Sequence, residues 1–140
     1  MQGVNRTEMI ERLLKESPFI CFMGLEIIEL DLENNVVVMR MPLRPEFERG
    51  GPLTGQFHGG VISALIDTVG DFAIALVVGA AVPTINFRVD FLRPSTGAFL
   101  IAKATVRRSG KTVGVADVDI FDNQERLTAV GRGCYSTQAG

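Results

Sequence analysis

Two aspartates one helical turn apart, Asp67 and Asp71, interrupt a segment that is otherwise almost entirely apolar. Val61, Ile62, Leu65, Ile66, Val69, Phe72, Ala73, Leu76 and Val77 surround them at helical spacing. A carboxylate among such neighbours is costly to bury without a partner. No lysine, arginine or histidine lies one turn away from Asp67; Ser63 and Asp71 do. The like charge of Asp71 pushes at least one of the two acids toward its protonated form. At ~100° per residue, Gly60, Ser63, Asp67, Gly70, Asp71 and Ile74 fall within roughly 60° of one line, a narrow stripe of mostly small and acidic residues. Such a stripe suits general-base or nucleophilic work, because a desolvated carboxylate is a stronger base. The alternative is that both aspartates pair with distant arginines or face solvent.

The start of the same helix adds a second feature. His58-Gly59-Gly60 puts two unhindered backbone N–H groups at the positive end of a helix dipole. That arrangement can hold a carbonyl oxygen as it becomes an oxyanion, and glycine lets a substrate approach the backbone closely. An ordinary turn before a helix, with His58 as a hydrogen-bonding residue at its start, is the plainer reading.

These groups need elements to position them. The helix is expected over about 59–78, ending near Gly79. Before it, a short helix over about 7–16 with Thr7 as its cap is expected, stopped by Ser17-Pro18, with a turn over 18–24. Strands are expected over 25–31 and 36–41 around the Glu33-Asn34-Asn35 turn. The loop 42–57, with three prolines and the Gly50-Gly51 pair, is long enough to be functional or mobile. Four more strands are expected over 83–92, 98–107, 112–121 and 126–136. One long apolar helix against about six strands is an α+β arrangement, with the helix on one face of an antiparallel sheet. The 140 residues read as a single domain without repeat or linker. Exposed sheet edges call for a partner, and a two-fold homo-oligomer is the simplest one.

Composition narrows the function. Apolar residues make up 46% and charged residues 21%, enough for a packed core. A net charge of −2 argues against a nucleic-acid binder. One histidine and two distant cysteines, Cys21 and Cys134, offer no metal-ligand spacing. The cysteines read as reduced thiols, the first residues lack a signal-peptide core, and no membrane association is expected. A cytoplasmic protein is expected.

The combination of Gly55-Gln56-Phe57-His58-Gly59-Gly60 with Leu65-Ile66-Asp67, nine residues from His58 to Asp67, resembles the hotdog-fold acyl-CoA thioesterases of the phenylacetate-pathway (PaaI-like) type. Pro18-Phe19, Met23-Gly24-Leu25 and Phe91-Leu92-Arg93-Pro94 extend the resemblance over nearly the whole chain. It implies a sheet wrapped around the long helix, and dimers or dimers of dimers with the site between subunits. It implies hydrolysis of acyl-CoA thioesters, with Asp67 as general base or nucleophile, and the Gly59 N–H, helped by Gly60, holding the oxyanion. His58 would shape the turn, and Thr84 would orient the attacking water. No cofactor is implied, coenzyme A being part of the substrate. One departure is Pro52, where the family often carries an asparagine that helps hold the carbonyl.

Coenzyme A brings phosphates. Residues 84–111 hold six basic side chains against one acid, Asp90. Arg93, Arg108 and Lys111 stand at expected turns, and the Ser109-Gly110 backbone can add an N–H contact. A solvated strand face explains the same charges. Phe47, Leu53, Phe57 and Phe72 are the acyl-pocket candidates. A non-catalytic acyl-CoA binder is the main alternative function. A thioester hydratase fits less well, because the lone histidine has no acid partnered to it in a hydratase pattern.

Overall fold

The computed structural model describes residues 5–138. Helix α1 spans Arg6–Glu16, α2 Pro18–Met23 and α3 Gly59–Val78. Strands β1 to β6 span Glu26–Asp31, Val36–Pro42, Thr84–Phe91, Phe99–Ser109, Val113–Asp122 and Leu127–Ser136. Every pairing is antiparallel, in the order β1-β2-β4-β5-β6-β3. The expected α+β layout of six strands and one long helix is the one observed.

The sheet curls around α3 because its inner positions alternate with outer ones. Val37, Met39 and Met41 of β2, Leu100, Ala102 and Ala104 of β4, and Ala116, Val118 and Ile120 of β5 are all buried. They meet Ile62, Leu65, Ile66, Val69, Ala73 and Leu76 of the helix in one core. The alternate residues carry charge outward, as in the Arg132–Asp117 pair at 2.6 Å. One apolar and one wet face is the usual state of an antiparallel sheet. Small residues let the helix sit deep: a Cβ on Gly131 of β6 would lie 2.6 Å from Ile66. By length and composition α3 could cross a membrane, but here it is the helix the sheet wraps.

The N-terminal region departs from expectation twice. Asn5, not Thr7, caps α1, its side chain accepting the Glu8 N–H at 3.0 Å. Asparagine caps at least as well as threonine and lets the helix start one residue sooner. Residues 18–23 form α2 rather than a turn. Ser17 caps it by accepting the Ile20 N–H, Pro18 occupies its first turn, and Gly24 closes it at φ 68°. Ser-Pro ends one helix and begins the next, since proline needs no N–H partner at a first helical position. Arg6 fixes α1 to α3 by donating to the Leu76 and Val77 carbonyls, a cation at the negative end of a dipole.

The 43–58 connection is a built structure. Phe47 and Phe57 are buried, and the Glu48 carboxylate accepts the Leu53 and Gly55 N–H groups at 3.3 and 2.8 Å. Two of the four acyl-pocket candidates are therefore core, and a third, Leu53, is 92% exposed. Only Phe72 borders a cavity near the acidic pair.

Candidate active site

The side chains of Asp67 and Thr84 meet. The Thr84 hydroxyl, at the first residue of β3, donates to Asp67 Oδ1 at 2.7 Å. That bond occupies one carboxylate oxygen and leaves the other with open acceptor capacity. Below it, the buried Tyr135 of β6 donates to the Asp67 backbone carbonyl at 3.0 Å, bracing that turn of α3 against the sheet. Burial pushes the Tyr135 phenol above its usual range, so it remains a donor. Tyr135 is a residue that reading the sequence missed; its only sign was a lone tyrosine inside an apolar strand.

Asp71 carries the electrostatic consequence of the pair. Burial first, and then the neighbouring Asp67 charge, push its carboxyl up to about 7. The stripe itself is shorter than the helical wheel suggests. Gly60, Ser63, Asp67 and Asp71 remain accessible, whereas Gly70 and Ile74 are buried. A Cβ on Gly70 would run into the Tyr135 hydroxyl, so this glycine serves helix–sheet approach rather than substrate access. Ala64 and Thr68 complete the accessible face instead.

At the helix start, the His58 side chain acts as the N-cap: Nδ1 accepts the Gly60 N–H at 2.8 Å. This places the ring proton on Nε2. It also corrects the expectation that Gly60 shares in an oxyanion site, because its N–H is already bound. The Gly59 N–H donates to no described residue, and it alone remains to receive a carbonyl oxygen. Ser63 hydrogen-bonds back to the Gly59 carbonyl at 2.9 Å. The rise of ~1.5 Å per residue puts Gly59 and Asp67 about 12 Å apart along α3, too far to share one carbonyl within a protomer.

The basic residues also separate. Thr84 pairs with Tyr135, Tyr135 with Gly114 and Gly114 with Ser109, so the β4–β5 turn with Arg108 and Lys111 lies at the Thr84 end of the sheet. Gly59 lies at the other end, where a Cβ would be 3.3 Å from the Phe91 ring. Arg93 borders the same groove as Gly59, Phe91 and Arg49. The ends of β3 are about 23 Å apart at ~3.3 Å per residue, so Arg93 and Arg108 do not face one ligand within a protomer. The Gly110 N–H is bound to the Val113 carbonyl, which removes it as a phosphate donor. Among the described residues no cluster of three or more His, Cys, Asp or Glu forms a metal site.

An apolar cavity of about 500 Å³ opens on Asp67 and Asp71, between the N-terminal helices and α3. A carboxylate held by a hydroxyl, a free helix-start N–H and an apolar cavity are parts of a hydrolytic site. Comparison with known proteins agrees. The thioesterase superfamily model matches residues 54–129, which include Gly59, Asp67 and Thr84. A candidate esterase of Halobacterium salinarum is 34% identical over 91% of this chain and 89% of its own length. The acyl-coenzyme A thioesterase PaaI of Escherichia coli is 34% identical over 79% of this chain and 76% of its own. Superposed on the structure of that PaaI protein, the fold gives a TM-score of 0.81 at 26% identity, covering 96% of this chain and 94% of the other. The chain belongs to the thioesterase superfamily, as a PaaI-like member with the hotdog fold.

Proposed function

We propose that the protein hydrolyses acyl-CoA thioesters, with Asp67 activating water or attacking the thioester carbonyl. The Thr84–Asp67 hydrogen bond of 2.7 Å at the cavity floor carries this reading. Thr84 fixes the carboxylate rotamer and leaves the second oxygen to accept a proton from water. The Gly59 N–H stabilises the oxyanion. A thiol is acidic enough to leave as the thiolate, so no strong general acid is required. His58 fits this economy, because it caps the helix rather than donating a proton to the leaving group.

Completing the site takes two copies. Strand β3 is a sheet edge with Ile85, Phe87 and Phe91 exposed, the kind of edge proteins cover by pairing. A two-fold antiparallel pairing of β3 with its copy sets the Gly59 and Arg93 end of one protomer beside the Asp67, Thr84, Arg108 and Lys111 end of the other. That pairing answers both separations at once. The homodimer, alone or doubled into a tetramer, is thus part of the catalytic proposal, and the basic residues would meet the CoA phosphates at its seam. The described cysteines are free, which suits a reducing cytoplasm.

Thiol release from a panel of acyl-CoAs tests the reading. Asp67→Asn keeps an acceptor for Thr84 but removes the base, and kcat should fall by ~10²–10⁴-fold with the fold intact. Equal turnover by Asp67→Asn and wild type would refute it. Pro52, in a place where the family often has a carbonyl-holding asparagine, favours a second reading as a non-catalytic acyl-CoA binder. CoA thioesters would then raise the melting temperature without releasing thiol.

A further inference from the structure

The proposed chemistry accounts for the carbonyl and the coenzyme but leaves the acyl group unplaced. An acyl chain extends from the very carbon that Asp67 must reach, directly or through one water. The apolar space that Asp67 borders is the cavity of about 500 Å³. Leu13, Phe19 and Ile20 of the α1–α2 pair form one wall, and Ala64, Phe72 and Val82 form the other. Its size lies within the ~300–1,000 Å³ of small-molecule sites. The groove beside Gly59 has the opposite character, flanked by the guanidinium-bearing Arg49 and Arg93.

The ionisable residues of the cavity are all acids: Glu16, Asp67 and Asp71. No lysine, arginine or histidine lines it. The wall made by the N-terminal helices is anchored at several points. Arg6 holds α1 to the end of α3, and the Cys21 thiol donates to the Leu14 and Lys15 carbonyls at 3.4 and 3.2 Å, tying α2 back to α1. Ser17, the cap shared between the two helices, also borders the cavity.

We infer that the α1–α2 pair is the specificity-determining wall of the acyl subsite, selecting uncharged apolar acyl groups of medium size, aryl or linear, and rejecting dicarboxylic ones. The inference rests on the reading of Asp67 as the hydrolytic residue. Leu13 and Ile20 are the residues that set the depth of the subsite. A second carboxylate on the acyl group would enter a space that offers three acids and no cation.

The test uses the full-length protein. One arm measures kcat/KM for acetyl-, octanoyl-, phenylacetyl- and glutaryl-CoA. A second measures the affinity of the non-hydrolysable thioether octyl-CoA against that of free CoA. Octanoyl- and phenylacetyl-CoA should exceed acetyl- and glutaryl-CoA by roughly tenfold or more, and the octyl tail should tighten binding to a similar extent. Leu13→Trp and Ile20→Trp fill the cavity from two positions; both should abolish the octanoyl and octyl advantage while acetyl-CoA turnover stays within about threefold. An octyl tail that adds no affinity, or equal proportional losses for acetyl and octanoyl in both variants, overturns the inference. If nothing is hydrolysed but the octyl advantage exists and both tryptophans erase it, the hydrolytic reading fails and the acyl wall stands.

Discussion

Asp71→Asn should stabilise this protein, and only on the alkaline side. The Asp71 carboxyl titrates at about 7 in the folded protomer against the ordinary 3.8, because it is buried beside Asp67. Between those two values the folded state holds a proton that the unfolded chain has released. Stability therefore falls as pH rises through this window and levels off above it. About three units at ~1.36 kcal/mol each give a cost on the order of 4 kcal/mol above pH 7, an upper bound because the unfolded chain keeps part of the repulsion between the two acids. Asparagine keeps the shape and cannot ionise, so it removes the cost. At ~2–4 °C per kcal/mol for a chain of this size, the variant should melt roughly 10 °C above wild type at pH 8, with the difference shrinking toward zero near pH 4. Differential scanning calorimetry at matched protomer concentration measures this, since an oligomer's melting temperature depends on concentration. A difference that does not change between pH 4 and pH 8, or a variant less stable than wild type at pH 8, would refute the idea that burial and the Asp67 charge hold Asp71 protonated.

The same geometry makes two more predictions. Thr84→Val removes the hydroxyl that holds Asp67 Oδ1 and should lower kcat by about tenfold, with KM little changed, in a steady-state thiol-release assay. Gly70→Ala drives a methyl group into the Tyr135 hydroxyl and should cost ~1–3 kcal/mol by overpacking. Chemical denaturation measures that loss, and Gly70→Ala combined with Tyr135→Phe should recover part of it.

The boundaries of α3 were legible because its signals are local. His58 caps, Gly59 opens, and Gly79 adopts φ 92° at the far end, so 59–78 was expected and is observed. The six strands were legible for a similar reason: each alternates inward and outward residues between strong turn signals. The N-terminal helices were half legible. Ser17-Pro18 was correctly read as a stop, but the same pair is also a cap and a first helical turn, and that second meaning depends on whether residues 19–23 pack as a helix. The acidic pair was legible as an anomaly of composition, and its Thr84 partner only through family resemblance. Nothing in one sequence ties residue 84 to residue 67 across a helix–strand connection. The Arg93 and Arg108 to Lys111 groups looked like one basic surface because they are close in sequence. The strand order puts them at opposite ends.

By itself the sequence determined the elements, the fold class, the helix start with its glycine N–H, and the presence of two carboxylates where apolar residues were expected. These depend on periodicity, capping and turn chemistry, which act over a few residues. The tertiary structure alone decided which carboxylate oxygen Thr84 occupies, that Gly60 is already bound while Gly59 is free, and that Gly70 belongs to packing. It also decided that Asp67 opens on a cavity walled by residues from the first 20 positions. A helical wheel gives each residue a direction but not its neighbour across the core. That neighbour is set by contacts between segments far apart in the chain, and these form only when the sheet closes around the helix.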